Sequence, residues 1–375
     1  MMSIIRAGVG RSTLRLTVAL RCAALPGMKI LANPHRHLGL ADPALADAPW
    51  PSADARAARS LVSRCPRAGV TPLTDAPDLA AEAGVGALLV KDERGRMGLG
   101  SFKALGAAHV IAREAAEGRA RGRTYVTASA GNHGLSVAAG AAAFGARARI
   151  YLAETVPESF ADRLRAEGAE VVRAGAIYEE SMRAAAEAAR GEGLELLSDS
   201  SWPGYMDRPR VLMEGYLILF AEVADQIGAP PTHVFVQAGV GGLAGAAAAF
   251  VRATWGDGPR VVVVEPEAAP ALQASVAAGR AVVALGPVSI MGRLDCKEPS
   301  LIALKGLARD ADDFVTLTEA EAEVGTARAA ERGFASTPSG AAGIAALLAA
   351  GDGRAALGLT PASRVLVILT EAPTT

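Results

Sequence analysis

Cysteine is scarce in this sequence: Cys22, Cys65 and Cys296 are the three among 375 residues. They are too few and too scattered for a disulfide framework or a zinc site, and they suit a reducing cytoplasm. Histidine is nearly as sparse at five, and although His35 and His37 have a spacing that could ligate a metal, no third ligand stands nearby. No metal is assigned. Neither sign of charge predominates, with 38 Lys and Arg against 39 Asp and Glu. The net charge of -1 points to neither nucleic acid nor an anionic membrane, which leaves a small molecule as the default partner. Long apolar runs are missing as well, since the Ala-rich stretch 238–253 is broken by glycines and too short to span a bilayer. No heptad, solenoid repeat or low-complexity tract occurs.

Acids are absent from the first 41 residues, which carry Arg6, Arg11, Arg15, Arg21, Lys29 and Arg36. An Arg-rich, acid-free segment reads either as a transit peptide or as an over-extended start, with the working protein beginning near Met28. On both readings residues 1–27 are expected to stand apart from the folded core.

What is present is an alternation. Short β-branched runs at 87–93, 124–129, 148–154, 169–175, 194–199, 232–239, 260–267 and 364–371 are separated by helical stretches such as 157–167 and 177–190. This pattern predicts an α/β protein, and a chain of this length is enough for two lobes. Several strands are apolar on both faces, so mostly parallel sheets covered by helices on both faces are expected. In such sheets ligands bind beyond the carboxyl ends of strands. The stretch Lys91 to Lys103, "ASAGNHG" at 128–134, Asp199, "AGVGGLAG" at 238–245, Glu265 and Thr370 all fall just past expected strand ends. Six chain positions are thus candidates for one cleft, although turns gather glycine and polar residues in any case.

"AGVGGLAG" follows a strand and opens a helix, the arrangement of a phosphate cradle. Gly239, Gly241 and Ala244 also satisfy a dinucleotide fingerprint with Glu265 on a ribose, which would make the protein a nicotinamide-dependent oxidoreductase. That reading leaves "SAGNHG" and Lys103 unexplained. Lys103 in "GSFKALGAA" sits behind a Gly-rich run, where a lysine can be a covalent handle for an aldehyde. A smaller phosphate ligand held by Gly239 to Leu243 and bonded to Lys103 uses all three segments, and pyridoxal phosphate is such a ligand.

"GSFKALGA", "TASAGNHG" and "AGVGGLAG", in this order, resemble the tryptophan synthase β-like (fold type II) family of pyridoxal-phosphate enzymes, over about Asn33 to Thr370. Within it, "FKALG", "SDSSWPGYMDRPRVLMEGY" (198–216) and "IMGRLDCKEPS" (290–300) are similar to diaminopropionate ammonia-lyase. "SAGNHG" and "STPSGAAGIAAL" (336–347) instead look like the serine and threonine dehydratases. The resemblance implies a two-lobed enzyme, with 28–104 and 215–375 forming a large cofactor-binding domain, 105–214 a small one, and a homodimer as the usual state. It implies that Lys103 binds the cofactor with a burial-lowered pKa and later acts as base. It places Asn132 on the ring oxygen, Gly239, Val240, Gly241, Gly242 and Leu243 on the phosphate, and Thr370 at the pyridine nitrogen. A neutral hydroxyl there suits elimination better than transamination. Asp199 matches an acidic active-site position of the ammonia-lyases, as a second base or as the counterion of a cationic β-amino group, against the plainer role of a helix cap. His133 is left out of the catalytic set as a residue satisfying local backbone.

The expected reaction is α,β-elimination on a small amino acid, with 2,3-diaminopropionate to pyruvate and ammonia first and dehydration of serine or threonine second. A non-catalytic homologue would have lost the lysine and the acid, and both are here. Where the ammonia-lyases have an Asp before G-N-H-G this chain has Ala130, so preference for the L-isomer is expected, with Lys103 as base.

Overall fold

The computed structural model describes residues 27–373 other than 130 and 177. Ala130 and the expected extension, except Gly27, therefore lie outside the described residues. The strands are β1 (Lys29–Ala32), β2 (Leu73–Asp75), β3 (Ala87–Asp92), β4 (Thr124–Ala128), β5 (Arg147–Leu152), β6 (Glu170–Arg173), β7 (Glu195–Leu196), β8 (His233–Gln237), β9 (Arg260–Pro266), β10 (Asp313–Leu317) and β11 (Arg364–Leu369).

Seven strands form one sheet in the order β1-β10-β9-β8-β11-β3-β2, and four form a second in the order β6-β5-β4-β7. The second sheet is parallel throughout. In the first, the central strands are parallel, and only the edge strands β1 and β2 run antiparallel to their neighbours. The expected α/β architecture is therefore the observed one. β1, β2 and β10 were not expected from the pattern. The first two are short and half-exposed, and "DFVTL" of β10 carries too few apolar residues to stand out in a sequence.

Alternation along the strands explains the layers. Val234, Val236, Val261, Val263, Leu366 and Ile368 join one buried cluster, with Leu243, Ala247, Phe250 and Val251 of the helix Gly242–Trp255 and with Leu304 and Leu307. Phe235, Val262, Val264, Val365, Val367 and Leu369 join the other, beneath Leu79, Ala80 and the helix Ala342–Leu348. Successive side chains point to opposite faces of a strand, so runs such as "VVVV" can only be satisfied between two layers of helix. Each fully buried Val contributes about 1.5–3 kcal/mol relative to exposure. The second sheet is built the same way, with Tyr125 and Ile150 facing the first cluster and Val126, Ala128 and Tyr151 facing the helix Tyr178–Glu192 through Ala185. No described helix is long and apolar enough to cross a membrane.

Candidate active site

Lys103 opens a helix, Lys103–Ala116, at the end of a loop that needs left-handed backbone at Met97, Gly98 and Gly100. The loop is tied to the end of β11: Phe102 N–H donates to the Thr370 carbonyl at 3.1 Å, and Ser101 bridges to Glu371. The helix is then crossed at close range by Asp207–Gln226. A Cβ on Gly106 would stand 2.7 Å from the Tyr216 ring, and one on Gly215 would stand 2.5 Å from the Leu105 carbonyl. Glycine at the crossing brings Tyr216 beneath the lysine, so that Nζ lies 5.8 Å from the Tyr216 ring and 5.3 Å from the Phe102 ring.

Asp199, just beyond β7, accepts a hydrogen bond from Lys103 Nζ at 2.5 Å, with the two side chains only 23% and 19% exposed. Burial alone would lower the Lys103 pKa, but Asp199, with smaller contributions from Tyr216 and Cys296, raises it above an ordinary lysine. Burial acts on Asp199 in the opposite sense, and Lys103 and His133 outweigh it, holding the carboxylate below its usual range. The expectation of a burial-lowered Lys103 is thus corrected: burial is the largest single influence, but Asp199, Tyr216 and Cys296 together overcome it.

The glycine loop leaves β8 and enters its helix through Gly241 at φ +99°. A Cβ there would meet Ala303 and Leu272 at 3.0 Å, and one on Gly239 would meet Cys296 Sγ at 3.0 Å and the Arg293 carbonyl at 3.1 Å. Val240 is pinned from the other side by the Ser300 N–H at 2.9 Å. The loop lies against the lysine site: a Cβ on Gly242 would stand 3.6 Å from the Tyr216 ring and 3.9 Å from the Asp199 carbonyl. Leu243 is buried behind it. Thr370 is also buried, and its hydroxyl accepts from Gln237 Nε2 at 3.3 Å, which leaves the hydroxyl proton free to be given elsewhere.

Asn132 heads the helix Asn132–Ala143 and donates its side-chain amide to Glu371, a residue that sequence reasoning passed over. Glu371 is buried and also takes Arg293 Nη1 at 2.6 Å and the Thr337 hydroxyl. Its only signal in the sequence is adjacency to Thr370. His133 gives no sign of a catalytic part: Nε2 sits 2.8 Å from the Leu197 carbonyl, and burial lowers its pKa.

Residues 65–371 match the family described as pyridoxal-phosphate dependent enzymes. The chain belongs to that family. It is 30% identical to the diaminopropionate ammonia-lyase of Salmonella typhimurium over 76% of this chain and 79% of the relative. It superposes with a TM-score of 0.82, at 30% identity, on the Escherichia coli diaminopropionate ammonia-lyase solved with an aminoacrylate-PLP azomethine reaction intermediate, covering 92% of this chain and 94% of that one. The serine dehydratase-like protein of Mus musculus is 31% identical over 61% of this chain and 66% of that relative.

As a member of this family the protein takes pyridoxal phosphate, and the residues present fit it. The glycine loop supplies backbone amides at a helix N-terminus for a phosphate, at points where a side chain would collide. An amine for the aldehyde stands beside it, and the Tyr216 hydroxyl and His133 Nδ1 are buried without hydrogen-bond partners nearby. Glu265 among the six strand-end positions, and the Lys91 end of the stretch that leads to Lys103, do not join this cluster. Lys91 is wholly buried among Thr71, Glu222 and Gln226. Glu265, which the dinucleotide reading put on a ribose, gives one oxygen to the Leu272 N–H and the other to the Gln273 N–H, each at 2.8 Å. It caps the helix Ala271–Ala278, so the fingerprint lacks its acid.

Proposed function

We propose that the protein eliminates ammonia from L-2,3-diaminopropionate, giving pyruvate and a second ammonia after hydrolysis. Lys103, Asn132, Gly239 to Leu243 and Thr370 are read as the cofactor's contacts, and Lys103 and Asp199 as the catalytic pair. The observation that carries this is the Lys103–Asp199 ion pair. To bond an aldehyde, Lys103 must surrender its proton and its charge. A carboxylate held ionised in a largely buried place then lacks its cation. A β-ammonium on the substrate restores it, and the same group, kept protonated, departs as neutral ammonia when its carbon–nitrogen bond breaks. Serine carries no such charge to restore, and its hydroxyl would need a proton donor to depart.

Bound pyridoxal phosphate supplies the aldehyde and an electron sink for the carbanion at Cα. Lys103, as a free amine, would be the base that takes the Cα proton. Thr370 would offer a neutral hydroxyl to the ring nitrogen, which would keep that sink weak and favour expulsion of the β group. With Ala130 in place of an acid, Lys103 is the base on this reading and the L-isomer is preferred. Dehydration of serine or threonine is the second reading, favoured by "SAGNHG" and by the serine dehydratase-like relative. The division into a lobe of 28–104 with 215–375 and a lobe of 105–214 is supported by the strands of the second sheet, all of which lie between 124 and 196. A homodimer is proposed as the family's usual state, and the scarcity of cysteine supports a reducing cytoplasm.

The test is a visible absorbance spectrum of the purified protein with pyridoxal phosphate, followed while L- and D-2,3-diaminopropionate, L-serine and L-threonine are added separately, with keto acid and ammonia assayed. A band that shifts with L-diaminopropionate and releases pyruvate is expected. Faster turnover of serine or threonine would replace the first reading by the second, and comparable turnover of both diaminopropionate isomers would overturn the role given to Ala130.

A further inference from the structure

The carboxylate of Glu371 uses both of its oxygens. Oε2 accepts from Asn132 Nδ2, and Oε1 accepts from Arg293 and from Thr337. Its backbone carbonyl takes the Ser336 hydroxyl at 2.5 Å, and its strand position bridges to Ser101, two residues before the lysine. One buried side chain therefore joins the asparagine loop, the segment that packs over Gly239, and the turn at 336–340, while its backbone holds the approach to Lys103. Arg293 completes the enclosure, since its Nε lies 3.5 Å from where a Cβ on Gly131 would stand.

An asparagine amide can present either its oxygen or its nitrogen to a given neighbour, and the hydrogen-bond network decides which. A carboxylate accepts only, so Glu371 holds the nitrogen end of Asn132 on its own side and takes one of the two Nδ2 protons. The second proton remains for another acceptor. We propose that Glu371 is a positioning residue for the cofactor ring, acting through Asn132, with Arg293 and Thr337 holding Glu371 in place. This rests on the pyridoxal-phosphate site assigned above, in which Asn132 faces the ring oxygen. One corollary is that the 290–296 segment and the Asn132 amide are set by the same carboxylate, so loosening Arg293 loosens the ring's contact as well.

Visible circular dichroism of the bound cofactor reports ring orientation and is insensitive to a general loss of stability. It would be recorded for the wild type, Glu371→Ala, Glu371→Gln, Asn132→Ala and the Asn132→Ala/Glu371→Ala double variant, alongside cofactor titrations and melting of the cofactor-free proteins. Glu371→Ala and Asn132→Ala are each expected to lower the dichroic band and to weaken cofactor binding about tenfold, the cost of one lost buried hydrogen bond to a charged group. The double variant is expected to be no worse than either single one, because the two residues act as one unit. Glu371→Gln guards against misfolding of the alanine variant. It keeps the shape but has one acceptor oxygen where two are used, so a smaller loss in the same direction is expected. Multiplying effects in the double variant, or a wild-type dichroic band in Glu371→Gln, would overturn the proposal. A wild-type protein with no visible band after cofactor addition would instead remove the pyridoxal-phosphate site itself.

Discussion

Lys91 and Lys103 are both held by carboxylates inside one protein, yet their surroundings differ in kind. Lys91 is wholly enclosed and spends all three donors, on the Thr71 carbonyl at 2.7 Å, Glu222 at 2.7 Å and Gln226 at 3.0 Å. Around it Arg96 pairs with both Glu93 and Glu222, and the Thr71 hydroxyl closes the set. Lys103 has one anionic partner, two aromatic faces and a share of solvent. Burial lowers the pKa of Lys91 even with Glu222 beside it, whereas Asp199 reverses that effect at Lys103. A buried ion with every donor used is a fastening. An ion with donors to spare and one counter-charge can change partners, and that is what covalent chemistry with an aldehyde demands.

The comparison can be broken at several points. Lys103→Ala has the largest expected effect: no cofactor-linked visible band, and turnover lower by about 10⁴-fold. Asp199→Asn should reduce kcat by about 10²–10³-fold and erode the preference for diaminopropionate over serine. It should also speed cofactor uptake near neutral pH, because removing the acid leaves burial free to lower the Lys103 pKa, and stopped-flow absorbance would show this. Equal uptake by wild type and variant would mean that Asp199 does not control the lysine.

Lys91→Met should cost about 3–5 kcal/mol in urea unfolding, as expected when one member of a buried ion network is removed. Its kcat per folded molecule should stay near the wild-type value. A variant of normal stability that has lost turnover would place Lys91 in the chemistry after all. The last effect is on stability against pH and concerns Glu265, whose burial pushes its pKa from 4.5 up to about 8 despite two backbone N–H donors. The folded protein then keeps a proton that the unfolded chain releases, so stability falls as pH rises through that interval. Glu265→Gln should flatten the melting temperature between pH 5 and 8, and an unchanged pH slope would place that dependence elsewhere.

Much of this was legible in the chain. β8, β9 and β11 were expected from their apolar runs and lie within a residue or two of their boundaries. β7 survives as only two residues, because its chain turns off toward Asp199. Lys103, Asp199, the glycine loop and Thr370 meet as strand-end logic suggested, and Asn132 joins them through Glu371. Glu265 satisfied the same logic and went elsewhere, as did the Lys91 end of the stretch that leads to Lys103. Nothing in their neighbours along the chain foretells that Glu222 and the N-terminus of the helix Ala271–Ala278 would claim them.

The sequence by itself determined the alternation that makes an α/β fold, the glycines that must stay bare, and a lysine, an acid and a hydroxyl at strand ends. These are local matters of periodicity, backbone angle and residue chemistry. Only the tertiary structure decided which charges would pair, because the partners of Lys91, Lys103 and Glu371 are far away in the chain and are selected by packing. The same packing decided the state of Lys103, since the charge and hydrogen bond of Asp199, added to the nearby Tyr216 and Cys296, together overcome a desolvation that is larger than any one of them.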